Sequence, residues 1–148
     1  MERRKVILLT MFILLCAGFI FYTNRPMTKN NAVKRVEGFI KAVNDNKPES
    51  IYNYLTPDIK EIISKEDFIE SFAKERSYPY LTPLYLYLDH LTLQKDKREG
   101  IAECTVASRL PGEKMKFEIF FVKGNYYVNA FKEVADGSFI KKFEKLSP

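Results

Sequence analysis

The sequence predicts an α+β domain, with helices packed on a curved antiparallel sheet of four strands, behind an N-terminal transmembrane helix. Three observations predict it: an uncharged apolar run near the N-terminus, apolar residues at helical spacing through the next part of the chain, and alternating apolar residues after that. At 148 residues the chain is sized for one domain, and setting aside the N-terminal run still leaves enough residues for a hydrophobic core. The 46% hydrophobic and 14% aromatic content separates it from disordered chains, which lack the apolar surface to offset chain entropy.

Residues 6–22, VILLTMFILLCAGFIFY, carry no charge and reach the lower end of the roughly 17–25 residues that span a bilayer as helix. Arg3, Arg4 and Lys5 precede the run, while Arg25 and Lys29 follow it more sparsely, so the positive-inside bias places the N-terminus in the cytoplasm. The expected organisation is a cytoplasmic tail (1–5), a transmembrane signal anchor (6–22), a tether (23–30) and an extracytoplasmic domain (31–148). The expected location is therefore the cell membrane, as a single-pass protein. Two processed forms compete with the retained anchor: cleavage near Cys16-Ala17-Gly18, and lipidation at Cys16, although Leu15 stands where a lipoprotein signal wants a small residue.

Beyond the tether, Ala32, Val33, Val36, Phe39, Ile40 and Val43 share one face of a helix. Pro48 and Pro57 each sit in the first turn of a short helix, and Ser64 with Asp67 caps another that carries Phe68, Ile69 and Phe72. The period then changes. Leu84, Leu86 and Leu88 alternate with Tyr85 and Tyr87, and the apolar parity switches to Leu91 and Leu93, which predicts a β-bulge at Asp89-His90. Residues 95–100 turn the chain into a strand bearing Ala102, Cys104 and Val106. Pro111-Gly112-Glu113 turns it again into one bearing Met115, Phe117, Ile119 and Phe121. Gly124-Asn125 is expected as the two-residue hairpin into a fourth strand over 126–131, and Phe139, Phe143 and Leu146 as an amphipathic tail.

The charge pattern narrows the function classes. Of the net +5, the residues before the apolar run supply +2, and the rest is interspersed, with neither the basic stripe nor the reading motif of a nucleic-acid binder. Cys16 and Cys104 are too few and too far apart for a structural zinc site or a redox motif, and no disulfide is expected between them. No phosphate loop, metal-ligand pair or nucleophile motif occurs, so no catalytic residue, metal or cofactor is assigned. The lone histidine, His90, beside Asp89 has the composition of an acid–base pair, but neighbours on a strand normally face opposite ways. Tyr78, Tyr80, Tyr85 and Tyr87 crowd the helix-to-strand junction; Tyr80, Tyr85, Tyr87 and His90 are the candidate ligand-binding residues, against the alternative that they pack between helices and sheet. Lys141, Lys142 and Lys145 are read as a solvated helix face rather than a contact with anionic polymer.

Helices first, then a bent strand and a meander ending in Phe121-Val122-Lys123-Gly124-Asn125-Tyr126-Tyr127-Val128, resemble the nuclear transport factor 2-like (NTF2-like, cystatin-like cone) superfamily over about residues 30–135. Tyr126 stands where that family more often has Trp. The resemblance implies a cone with room for a pocket. Its members include ketosteroid isomerase-like and dehydratase-like enzymes and many non-catalytic accessory domains, some tethered to membranes. The leading expectation is thus a membrane-anchored binding or scaffold domain without catalytic activity, with an envelope protein or a small apolar ligand as partner. The alternatives are an isomerase-like cone with an apolar pocket and a subunit of an envelope or secretion assembly.

Overall fold

The Thr28 hydroxyl accepts a hydrogen bond from the Asn31 N–H at 3.2 Å, satisfying one of the free donors that begin a helix, and so opens α1, Lys29–Asn44. The computed structural model describes residues 7, 10–15, 18, 28–76, 85–107, 113–139 and 141. Two short helices follow, α2 (Pro48–Tyr54) and α3 (Pro57–Ile62), each with proline in its first turn, where the missing N–H has no intrahelical partner to lose. In α4 (Lys65–Arg76) the Ser64 hydroxyl accepts from the Asp67 N–H at 3.1 Å and donates to the Asp67 carboxylate at 2.7 Å.

The strands β1 (Tyr85–Leu93), β2 (Glu99–Ala107), β3 (Glu113–Val122) and β4 (Asn125–Asn129) pair antiparallel in chain order, and a short helix α5 (Lys132–Ala135) follows. The register of β1 on β2 shifts between Leu88 and His90, so one extra residue keeps Leu86 and Leu91 both on the inner face. The β3–β4 turn lies one residue earlier than the expected Gly124-Asn125. Val122 pairs with Asn125, leaving Lys123 and Gly124 as the loop at φ 46° and 86°. A two-residue turn of this hand needs positive φ at both central positions, and starting it at Lys123 lets Asn125 begin the strand.

The core lies between the sheet's inner face and the helices. Ala32, Val36, Phe39 and Val43 of α1 meet Leu86, Ala102, Cys104, Ile119 and Val128, all buried. Burial also pushes the Cys104 thiol up to about 11, so it serves as a small apolar side chain rather than a nucleophile. Ile62, the last residue of α3, is half exposed.

The fold class therefore needs one correction: the α+β domain with a four-stranded antiparallel sheet stands, the N-terminal transmembrane helix does not. Among the described residues no helix is long and apolar enough to cross a membrane. The described part of the run, Ile7, Thr10 to Leu15 and Gly18, is helical. The run is at the short limit for a span: at about 1.5 Å per residue, seventeen residues reach about 25 Å against a hydrocarbon core of roughly 30 Å. The signal-anchor, single-pass and cell-membrane expectations, with a cytoplasmic N-terminus and an extracytoplasmic domain, all rested on that helix and fall with it. The expected tether also ends early, because α1 begins at Lys29.

One side chain joins helix and sheet in a way that neither periodicity announced. The Asn44 amide donates to the Leu86 carbonyl at 2.9 Å and accepts from the Leu86 N–H at 2.8 Å, so a side chain occupies the outer edge of β1 as a strand would. Both groups are partly buried, and removing the amide leaves two main-chain groups without partners. Asn44→Ala is expected to destabilise the domain by about 1–3 kcal/mol, measured by urea unfolding, while Asn44→Asp, which keeps only the acceptor, falls between.

Candidate functional site

Of the sequence-predicted residues, Tyr85, Tyr87 and His90 do not line an interior pocket. Tyr85 and Tyr87 stand on the outer, uncovered face of the sheet, 43% and 60% exposed, and Ile101 is exposed on the same face. The bulge turns His90 onto that face too, where its Nε2 lies 3.3 Å from the Glu103 carboxylate. Asp89 does not orient His90. It accepts hydrogen bonds from Lys114 at 2.8 Å and from the Thr105 hydroxyl at 2.9 Å, and these hold its carboxyl below the usual range. Lys116 does the same for Glu103 at 2.7 Å. The acid–base composition noted in the sequence is thus a surface ladder of mutually paired charges. Tyr78, Tyr80, Phe143, Leu146, Lys142 and Lys145 lie outside the described residues.

A second cluster, which the sequence reading missed, forms where α1, α2, α3 and β4 meet. Arg35 lies on the flank of the buried stripe of α1, three residues after Ala32 and four before Phe39. Its Nε donates to the Tyr126 carbonyl and its Nη2 to the Asn53 carbonyl, each at 3.0 Å. The guanidinium carbon sits 4.2 Å from the centre of the Tyr54 ring and 5.6 Å from that of Tyr127. Tyr54 can lie there because residue 38 is glycine: a Cβ at that position would meet the Tyr54 hydroxyl at 2.5 Å.

Lys60 of α3 approaches the same place. Its Nζ donates to the Asn53 carbonyl at 3.3 Å and lies 5.0 Å from the centre of the Tyr127 ring and 5.6 Å from that of Tyr52. Burial, then the nearby Arg35 charge, hold the Lys60 ammonium below the usual lysine range. Beside Arg35 a cleft of about 270 Å³ opens between α1 and the β3–β4 hairpin, with Asn31, Lys34, Tyr54, Phe121, Asn125 and Tyr126 on its walls. Tyr126 closes the cleft floor, its hydroxyl donating to the Lys97 carbonyl at 2.7 Å and its ring edge-on to Phe121 at 5.0 Å.

Elsewhere, Glu75 near the end of α4 is buried, 8% exposed, and its Oε1 has no hydrogen-bond partner among the described residues. Burial pushes its carboxyl up to about 7; the Glu133 charge adds to this and Arg76 opposes it. No group of three or more potential metal ligands occurs among the described residues. Comparison of the chain with protein-family models and with curated proteins found no match.

Proposed function

We propose that this chain is a binding or scaffold domain without catalytic activity, on a cone-like fold of the NTF2 type. The observation that carries the reading is the aromatic packing between helices and sheet. Phe39 meets Tyr54, Phe117 and Phe131 at ring-centre distances of 6.3, 5.5 and 6.0 Å, and Phe68, Phe72 and Phe131 continue the stack at 5.4–6.4 Å. Side chains occupy the space in which a cone enzyme would hold an apolar substrate, so a partner is met on the surface. The polar groups of the open sheet face pair with one another, which leaves His90 without the buried, water-excluded setting that acid–base catalysis exploits. The test is titration with a neutral apolar fluorophore such as N-phenylnaphthylamine. The filled interior predicts no saturable one-to-one uptake and no rise in Tm; saturable uptake with thermal stabilisation would restore the pocket reading and sink this one.

A further inference from the structure

We propose that Arg35 and Lys60, framed by Tyr52, Tyr54 and Tyr127, form a binding site for a small-molecule phosphate monoester, whose organic body lies in the cleft beside Arg35. The inference rests on the binding-domain reading and gives that domain a ligand class.

The charge at this place is uncompensated. Two cations from different helices converge on one carbonyl oxygen, that of Asn53. Among the described residues neither has a carboxylate within ion-pair distance, whereas Lys41 and Lys47 share Asp45, Lys114 holds Asp89, and Lys116 holds Glu103. The tyrosine rings hold the cations in place through their negative faces but carry no net charge to neutralise them. A bound anion removes the repulsion and offsets the desolvation of Lys60, countering both effects that hold that ammonium below the usual lysine range.

The donor arrangement selects the anion. Nε and one Nη2 proton of Arg35 are committed to main-chain carbonyls, which fixes the guanidinium plane and leaves both Nη1 protons, the second Nη2 proton and two Lys60 protons for a ligand. Two fixed positive charges match a phosphate monoester of charge about −1.5 to −2, with three acceptor oxygens, better than a single carboxylate. Lys34 on the cleft wall adds a third cation, and the partly exposed Tyr54 and Phe121 side chains give the esterified group an aromatic surface next to the charge. Inorganic phosphate meets the cations but leaves that surface unused.

The experiment is a backbone-amide NMR titration of the full chain at low ionic strength with phenyl phosphate, inorganic phosphate and benzoate. Phenyl phosphate is expected to bind saturably and most tightly, shifting the amides around Arg35, Asn53, Lys60 and Tyr127. Lys60→Gln is expected to weaken it by roughly tenfold to a hundredfold, the loss of one charge-assisted contact, and Lys60→Arg to retain most of it. Lys114→Gln, on the open sheet face, is the charge-matched control and leaves binding unchanged. Absence of saturable binding, Lys60→Gln binding as tightly as the unaltered chain, or inorganic phosphate binding as tightly as the ester would each overturn the assignment. None of these results moves the neutral-fluorophore titration, so the ligand class and the binding-domain reading fail separately.

Discussion

Phe39→Ala is expected to destabilise the domain by about 3–5 kcal/mol, a large fraction of the total for a domain of this size. The residue is fully buried on α1 and is the ring that three others share: Tyr54, Phe117 and Phe131 all pack against it, from α2, β3 and the residue that opens α5. Truncation removes the transfer free energy of a benzyl group and leaves a cavity bounded by the sheet on one side, which relaxes less readily than a helix end. The measurement is the urea midpoint, with an unchanged m-value confirming that the unfolding remains the same transition. Tyr87→Ala on the open face is the comparison and is expected to shift stability by less than about 0.5 kcal/mol. A Phe39→Ala loss below about 1 kcal/mol would mean that the stack does not hold the helices to the sheet.

The second large effect is electrostatic and reverses the usual carboxylate trend. Glu75 has a folded-state pKa of about 7 against 4.5 for the free side chain, so between those values the folded chain holds a proton that the unfolded chain has released. Stability then falls as pH rises: the neutral carboxyl fits its buried site fully below about pH 4.5, and that contribution is lost progressively as pH climbs through about 7. Asp45, Asp89, Glu103 and Asp136, whose pKa values are lowered by lysine or hydroxyl partners, act oppositely and lose their contribution on the acid side. The expected profile has its maximum between these two limbs. Glu75→Gln removes the alkaline limb, and its gain in stability over the unaltered chain at pH 8 is expected to be about 1–3 kcal/mol, vanishing near pH 4. Urea midpoints across that range decide it, and parallel profiles for the two chains would show that Glu75 is not the titrating group.

Much of this fold was legible from local chemistry. The capping pair Ser64 and Asp67, the prolines at 48 and 57, and the parity switch around Asp89-His90 each name a specific backbone event, and each event is present. The hairpin was misplaced by one residue because Gly124 satisfies either turn, and only the pairing of Val122 with Asn125 chooses between them. Absence of charge over a run at the lower limit of spanning length does not suffice for a transmembrane helix, and among the described residues no helix is long and apolar enough to cross a membrane.

The candidate site was far less legible. Arg35 finds its partners on main-chain oxygens 18 and 91 residues away, and no side-chain pattern encodes a carbonyl acceptor. Its only trace in the sequence was its place on the margin of the buried stripe, where a long cationic side chain lies against apolar neighbours instead of extending into water. His90 drew attention through rarity, and rarity carries no geometry. Asn44 was invisible for the same reason as Arg35.

The Asn44 amide has a consequence beyond the stability of the isolated chain. A strand at the rim of a sheet offers its main-chain groups to any other strand, and a hydrophobic rim becomes a template on which identical chains can add. At β1 the Leu86 position is already taken by Asn44, and at the opposite rim Leu55 and Thr56 lie against Val128 of β4. Each rim of the sheet is thus stoppered at one point by its own chain. The residues that fasten the helices to the sheet are at the same time terminators of polymer growth.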